Sequence, residues 1–379
     1  MNFDWLPAER ELYDRALAFA RSLHSPRAER ESGVFPRDAW MRCGEFGLLG
    51  LCVPSERGGT GLEALMTARI FEAFGRGCSD LGLLFAGAAH LFACTMPLAE
   101  HGSDALRQAL VPRLARGELI GANAITEAEA GSDVFALKMQ AVLHGDHYVL
   151  NGIKSYVTNG PAADVFLVYA QTNPHHGFLG LSAFAVEKGM PGVSCSPPFR
   201  KVGLHSAPTS TVYFEDCRVP VSHLLAEEGQ GALIFQSSMA WERACLFGIY
   251  VGAMERDLER GIAYGRDRRQ FGRPIGKNQA ISHRIANMKL RLEAARLLLY
   301  KACSVKDSGE EATMDVSLAK LAISESAIQS GLDVIQIHGS SGVTTETGIA
   351  DSLLDALPST IFSGSSEMQR DLVAKALGL

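Results

Sequence analysis

Thr126-Glu127-Ala128-Glu129-Ala130-Gly131-Ser132-Asp133 stands where the character of the chain changes. Before it, from Glu9 to about Arg116, apolar residues recur at helical spacing, as in Leu12, Ala16, Phe19, Ala20 and Leu23, with turn clusters such as Glu56-Arg57-Gly58-Gly59-Thr60-Gly61 between the runs. After it, short β-branched and aromatic runs at 147–150, 165–169, 181–186 and 211–214 are bounded by Gly, Asn, Asp and Pro. Beyond Gly229, long helical segments return at about 232–266, 280–307, 316–338 and 367–377, with no repeat of fixed period. The order predicts an α+β chain of three units: an N-terminal helical domain over 1–120, a middle antiparallel β domain over 121–225 and a C-terminal four-helix bundle over 226–379. With no low-complexity linker between them, the units are expected to pack as one body, with ligand clefts at the seams.

Composition narrows the function classes. With 379 residues, 47% hydrophobic and 21% charged, the chain can bury a large core. Thirty-six basic against forty-two acidic residues leave a net charge of −6, which argues against a general binder of nucleic acid or anionic membranes. The eight cysteines are scattered through apolar segments without metal-ligand spacing, so buried thiols in a reducing, cytoplasmic setting are expected and no metal is. Asp4, Glu9, Arg10, Glu11, Asp14 and Arg15 interrupt the place where an export signal needs an apolar core. The most apolar stretch, 81–98, carries His90, Pro97 and the small residues Gly82, Ala86 and Gly87, and reads as a buried helix rather than a membrane span.

Four segments have chemical character. The 126–133 loop offers the hydroxyls of Thr126 and Ser132 beside Gly131, although a polar loop with one glycine is also ordinary turn chemistry. Asn151-Gly152-Ile153-Lys154-Ser155-Tyr156-Val157-Thr158-Asn159-Gly160 opens as an Asn-Gly hairpin turn and then adds an aromatic ring and a hydroxyl. Arg266-Asp267-Arg268-Arg269-Gln270-Phe271-Gly272-Arg273-Pro274-Ile275, followed by Lys277 and Gln279, suits phosphate binding with a ring contact, or equally a solvated basic helix end. Gln336-Ile337-His338-Gly339-Ser340-Ser341-Gly342 allows close backbone approach to a ligand, but taken alone it is a helix C-cap.

In content and order these segments resemble the acyl-CoA dehydrogenase family of flavoproteins, over nearly the whole chain. The resemblance implies a helical domain, a β domain and a helical bundle assembled as a homotetramer that binds FAD. It implies flavin contacts at Ile125, Thr126, Ser132, Tyr156, Thr158, Ser365 and Glu367, with Arg268, Gln270, Phe271, Gln279, Gln336 and Gly339 supplied by a neighbouring subunit. Some positions depart from the family pattern. Ala128 stands where Pro is usual, Tyr156 where Trp is common, and Ser340-Ser341-Gly342-Val343 replaces a more glycine-rich run. In Thr360-Ile361-Phe362-Ser363-Gly364, the residue before the glycine is Ser363, where many members carry the catalytic glutamate.

Either the chain abstracts no proton, or its base comes from elsewhere. Phe235, Met239, Leu246, Ile249 and Ala253 form an apolar seam of 4-and-3 spacing whose missing member is Glu242. A carboxylate in such a stripe must be paired, protonated or facing a cavity. A structural pair with an arginine from another element would explain it. So would catalysis, because isovaleryl-CoA dehydrogenases place their glutamate on this helix just before Arg, as in Glu242-Arg243. Glu127, Glu129 and Glu367 are the other candidates, the last explained as well by helix capping.

Within the family, the run from Phe235 to Phe247 together with 360–364 is most similar to the dehydrogenases of L-prolyl groups tethered to a peptidyl carrier protein. That implies removal of the α-proton by Glu242, hydride transfer to the flavin and a second oxidation to the pyrrolyl thioester used in natural-product (antibiotic) biosynthesis, with Met239, Trp241, Arg243 and Ser363 around the substrate. Reoxidation would fall to an electron-transfer flavoprotein or to oxygen. The nine basic residues against two acids over 266–296 would also attract an acidic carrier. The alternatives are a short- or branched-chain acyl-CoA dehydrogenase, a non-catalytic binding protein, and flavin-dependent N-hydroxylation or nitroalkane oxidation on the same fold.

Overall fold

A computed structural model describes residues 3–23 and 25–379. The helical spacing of the first unit is realised as α1 (Pro7–Ser22), α2 (Arg27–Glu31), α3 (Arg37–Phe46), α4 (Ala64–Gly77), α5 (Leu81–His90), α6 (Met96–His101) and α7 (Asp104–Ala115). Asp80 caps α5 by accepting from the Leu83 amide at 3.0 Å. A π-helical segment, Leu91–Thr95, joins α5 to α6 in one apolar rod that is buried almost throughout, as expected for a core helix.

The middle unit holds β1 (Gly121–Ala124), β2 (Gln140–His144), β3 (His147–Thr158), β4 (Val165–Gln171), β5 (Leu181–Glu187), β6 (Val193–Cys195) and β7 (Thr209–Pro220). The sheet runs β1-β4-β2-β3-β7-β6, with β5 also on β4. It is mixed rather than antiparallel throughout. β1 leaves the helical unit and pairs parallel with β4, and β2 touches β4 in parallel at Gln140 and Gln171. A parallel neighbour needs a crossover, and the β2–β3 hairpin provides it. Every residue of β4 is buried because both of its faces are covered. Val165, Leu167 and Tyr169 face the helices, while Phe166, Val168 and Ala170 join Phe184, Val186 and Phe214 in the β core.

Asn151-Gly152 is not the hairpin turn that its composition suggests. The β2–β3 turn falls at Gly145-Asp146, and Asn151-Gly152 lies inside β3 at a bulge between Leu150 and Gly152. Residues that make turns also suit bulges. Asn151 holds this one through its side chain, donating to Asp216 Oδ1 at 3.1 Å and accepting from the Asp216 amide at 2.8 Å.

The segment expected as one helix over 232–266 is two, α8 (Gly231–Cys245) and α9 (Gly248–Asp267). Between them Leu246 and Phe247 are fully buried, and the Ile249 and Tyr250 amides bond three residues back, which tightens the turn. A small hairpin follows, β8 (Arg269–Gln270) and β9 (Arg273–Pro274), then α10 (Gln279–Asp307), α11 (Thr313–His338), α12 (Asp351–Ala356) and α13 (Ser366–Ala376). α9 crosses α4 at glycines: a Cβ on Gly75 would strike the Ile249 carbonyl, and one on Gly252 the Glu72 carbonyl. That contact seats the bundle on the first unit.

The three units meet around two buried carboxylates. Ser206 donates to Asp80 at 2.7 Å, the Leu204 amide donates to Asp355 at 2.6 Å, and Arg27 and Arg30 hold Asp351 at 2.7 and 3.0 Å. Burial, opposed by the Leu204 amide and reinforced by Asp80, pushes Asp355 up to about 7. A carboxyl with a raised folded-state pKa binds its proton more tightly in the native state. The stability it contributes is complete below the ordinary carboxylate range and is lost as pH climbs through about 7. The stability of the wild type towards heat should therefore fall between about pH 4 and pH 7, and Asp355→Asn should flatten part of that fall, by at most about 4 kcal/mol. Identical pH dependence in the two proteins would contradict this account of the joint.

Candidate functional site

Glu242 lies on α8, which is packed between the π segment, β5 and the bundle, and its side chain is buried. Ser238, one turn earlier, donates to the Phe92 carbonyl at 3.2 Å and fixes the helix against the first unit. Met239 is buried on the same face. The Glu242 carboxylate accepts a hydrogen bond from the Ser363 hydroxyl. Among the described residues no arginine or lysine forms an ion pair with it. Burial pushes its pKa up, and the Ser363 bond and the neighbouring Arg243 charge only partly oppose this.

The other candidate carboxylates have the opposite character. Burial would raise Glu127, but Lys154 at 2.8 Å and the Lys138 and Met139 amides at 2.7 and 3.0 Å hold it below the usual range. Glu129 is lowered by its exposed pair with Lys138. Glu367 is lowered by its own amide at the start of α13 and by Ser365, the N-cap whose hydroxyl accepts from Met368. Of the four, Glu242 alone is shifted upwards, the direction that makes a carboxylate a better base.

Arg243 turns away from Glu242 and donates to the Ser363 carbonyl at 2.9 Å. Phe362, beside it, packs on Phe85 with centroids 4.5 Å apart and on Phe247 at 5.8 Å. Trp241 is half-buried. Its indole donates to Glu100 at 2.9 Å, and the Lys306 ammonium lies 3.8 Å from the ring centroid.

The remaining expected contacts fall into two patches. In the first, the Ser155 amide donates to the Thr126 carbonyl at 2.8 Å and Lys154 to the Ile125 carbonyl at 2.9 Å, so the 125–133 loop lies against the Tyr156–Thr158 segment. Ile125 is buried, Thr126 and Thr158 are half-buried, and Ser132 is exposed. Tyr156 is 68% exposed at φ 55°, beside a second bulge in β3. The second patch is the end of the bundle. Phe271 and Gly272, at φ 51° and 76°, form the two-residue turn of the β8–β9 hairpin, and Phe271 is 96% exposed. Arg268, Gln270 and Gln279 are exposed nearby. The Tyr264 carbonyl accepts from the Arg268 amide at 2.9 Å, and the Tyr264 ring stacks on His338 at 4.3 Å, which brings exposed Gln336 and Gly339 to the same end. Among the described residues no hydrogen bond or ring contact joins this patch to the first.

Models of the acyl-CoA dehydrogenase N-terminal, middle and C-terminal domains match residues 7–118, 122–217 and 229–378. The chain belongs to the acyl-CoA dehydrogenase family. Among its relatives, an L-prolyl-[peptidyl-carrier protein] dehydrogenase of Pseudomonas fluorescens is 52% identical over 92% of each chain. One of a Serratia species is 42% identical over 100% of this chain and 99% of its own. The solved structure of PigA with FAD and proline has a TM-score of 0.96 at 41% identity, with both chains fully covered.

Three features of this acyl-CoA dehydrogenase were missed in the sequence. Lys154 is wholly buried and pins the 125–133 loop, and its place in phase with buried Tyr148 and Leu150 was the available signal. Tyr169 faces the helices from β4, its hydroxyl buried without a hydrogen-bond partner among the described residues, and burial, Cys94 and Glu242 push it above the usual phenol range. The contact between Ser363 and Glu242 spans most of the bundle sequence and has no local signature. Lys154→Met would strand the buried side of Glu127 and the Ile125 carbonyl. It should lower the unfolding free energy by about 3 kcal/mol in urea titrations, whereas a loss below about 1 kcal/mol would contradict the pinning role.

Proposed function

We propose that this chain oxidises an L-prolyl group held as a thioester on a peptidyl carrier protein, with FAD as cofactor and Glu242 as base. The observation that carries the chemistry is the buried Glu242 carboxyl, without an ion-pair partner among the described residues and raised above the ordinary carboxylate range by burial. The substrate reading is supported by whole-length similarity to two L-prolyl-[peptidyl-carrier protein] dehydrogenases.

The residues fit FAD. Tyr156, touched by the Phe199 ring at 5.4 Å, and Phe271 are large rings left mostly in solvent at left-handed backbone, a costly arrangement for side chains so little covered. Arg268 is exposed three residues before Phe271, with no ion pair among the described residues, as suits a phosphate contact. We assign the flavin end to Ile125, Thr126, Ser132, Tyr156, Thr158, Ser365 and Glu367. Arg268, Gln270, Phe271, Gln279, Gln336 and Gly339 would serve the nucleotide end in a neighbouring subunit of a homotetramer. The separation of the two patches within one chain supports that division. The eight free cysteines, seven of them buried, support work in a reducing compartment, which we take to be the cytoplasm.

Bound there, FAD supplies an acceptor for a hydride. The chain's own part is proton removal. The thioester acidifies the α-carbon, and Glu242 takes that proton as the β-hydrogen leaves with its electron pair. The raised pKa makes the carboxylate a stronger base than an ordinary glutamate, and burial beside Met239 keeps it from water that would compete for the proton. Once an electron-transfer flavoprotein or oxygen has taken the two electrons from the cofactor, a second two-electron oxidation, at the ring carbons that still carry hydrogen, takes the ring to the pyrrole.

Anaerobic mixing of the purified enzyme with L-prolyl-carrier protein should bleach the flavin, and short acyl-CoA thioesters should not. Bleaching by acyl-CoA alone would favour the ordinary dehydrogenase instead. Glu242→Gln should retain flavin and lose reduction by about 10²- to 10⁴-fold. Phe271→Ala, at a fully solvated turn, should leave subunit unfolding unchanged yet yield enzyme depleted in FAD, read from the visible spectrum. Full flavin content would remove the partner patch from the site.

A further inference from the structure

Ser363 occupies a backbone geometry that serine seldom adopts, with φ at 55° and Gly364 following at 86°. A left-handed residue with a side chain is disfavoured, and glycine would be the easy choice. The strain is held from two sides. Arg243 donates to the Ser363 carbonyl at 2.9 Å, and Gln369, wholly buried on α13, donates to the same carbonyl at 3.3 Å and to the Gly364 carbonyl at 3.0 Å. The fit is close: a Cβ on Gly364 would lie 2.7 Å from Gln369 Nε2 and 3.2 Å from Arg243 Nη2. This clamp orients the 363–364 peptide and leaves the Ser363 hydroxyl one hydrogen-bond partner among the described residues, the Glu242 carboxylate. The turn itself needs no side chain at position 363, so what the hydroxyl touches explains its presence.

We propose that Ser363 is a positioning residue for the base, holding one oxygen of Glu242 so that the other faces the substrate α-carbon. This rests on the reading of Glu242 as base. Arg243 acts at one remove, through the Ser363 carbonyl. A hydroxyl donor stabilises the carboxylate over the acid, so its removal shifts Glu242 further towards the protonated form.

Other titratable groups face the pair. On α8 there is Arg243. On β4 there is Tyr169, held above the usual phenol range by burial. On α11 there is Lys320, brought down to about 8 by burial with Arg243 adding to it, and beyond it lies Glu367 at the rim. Because Lys320 titrates near the working range, a rate profile needs a second readout specific to a carboxyl group.

The test uses holoenzyme with Ser363→Gly and Ser363→Ala. Glycine relieves the left-handed strain, so a defect in Ser363→Gly is not a folding defect. In both variants the pH at which anaerobic flavin reduction is half-maximal should rise by about one unit, with about tenfold slower reduction at neutral pH and recovery at higher pH. Independently of turnover, the infrared carbonyl band of protonated Glu242, identified by its loss in Glu242→Gln, should titrate at a correspondingly higher pH in substrate-free enzyme. Wild-type midpoints by both readouts in Ser363→Gly would overturn the proposal. A shifted infrared midpoint with full activity in Glu242→Gln would overturn the base assignment while leaving the contact standing.

Discussion

A carboxylate buried with a hydroxyl and no ion-pair partner among the described residues is the constraint on which the site depends. Taking such a group out of water costs several kcal/mol unless it is paired or protonated, so a fold keeps it only where the surrounding structure over-determines its place. Here α8 carries Glu242 and is fixed by Ser238 to the π segment of the first unit, while Ser363 is clamped by Arg243 and Gln369. Glu72 is also buried, on α4, but it is met by Arg296 and by the Tyr300 hydroxyl, each at 2.9 Å. Burial raises both glutamates, but Glu72 is held in an ion pair, whereas Glu242 has none among the described residues.

The same economy governs the assembly of the units. The glycine crossing of α4 and α9 draws the bundle onto the first unit, and β4, buried on both faces, gives one row of side chains to the helices and the other to the β core. Tyr169 reaches the neighbourhood of Glu242 because it falls on the helix-facing row. A one-residue slip of β4 would replace it with a residue of the opposite row. Strand register therefore controls the polarity of the pocket.

The cofactor patches obey a different rule. Tyr156, beside the second bulge of β3, and Phe271, in the β8–β9 turn, are large exposed rings on left-handed backbone, where one chain gains nothing from either the strain or the exposure. Both become reasonable if a ligand or a second chain covers them. The clamped Ser363 is a third strained residue, and it is turned inward towards Glu242 rather than outward.

Much of this was legible in one dimension. The α-β-α order, the buried rod beginning at Leu81 and the polar residue interrupting the α8 seam at Glu242 follow from periodicity, because a helix or strand face must be apolar wherever it is covered. The loops around Thr126, Tyr156 and Phe271 stood out by composition. What periodicity misplaced depends on partners distant in the chain. Asn151-Gly152 became a bulge because β7 pairs across it, the sheet is mixed because β1 finds β4, and the long helix breaks at Leu246-Phe247 where both side chains are buried. The sequence by itself determined which residues are able to react. Only the tertiary structure decided which way each carboxylate shifts, because pKa is set by the groups around a side chain: Lys154 pairs with Glu127 and lowers it, while Glu242 has no ion-pair partner among the described residues and is met by a serine hydroxyl 121 residues away.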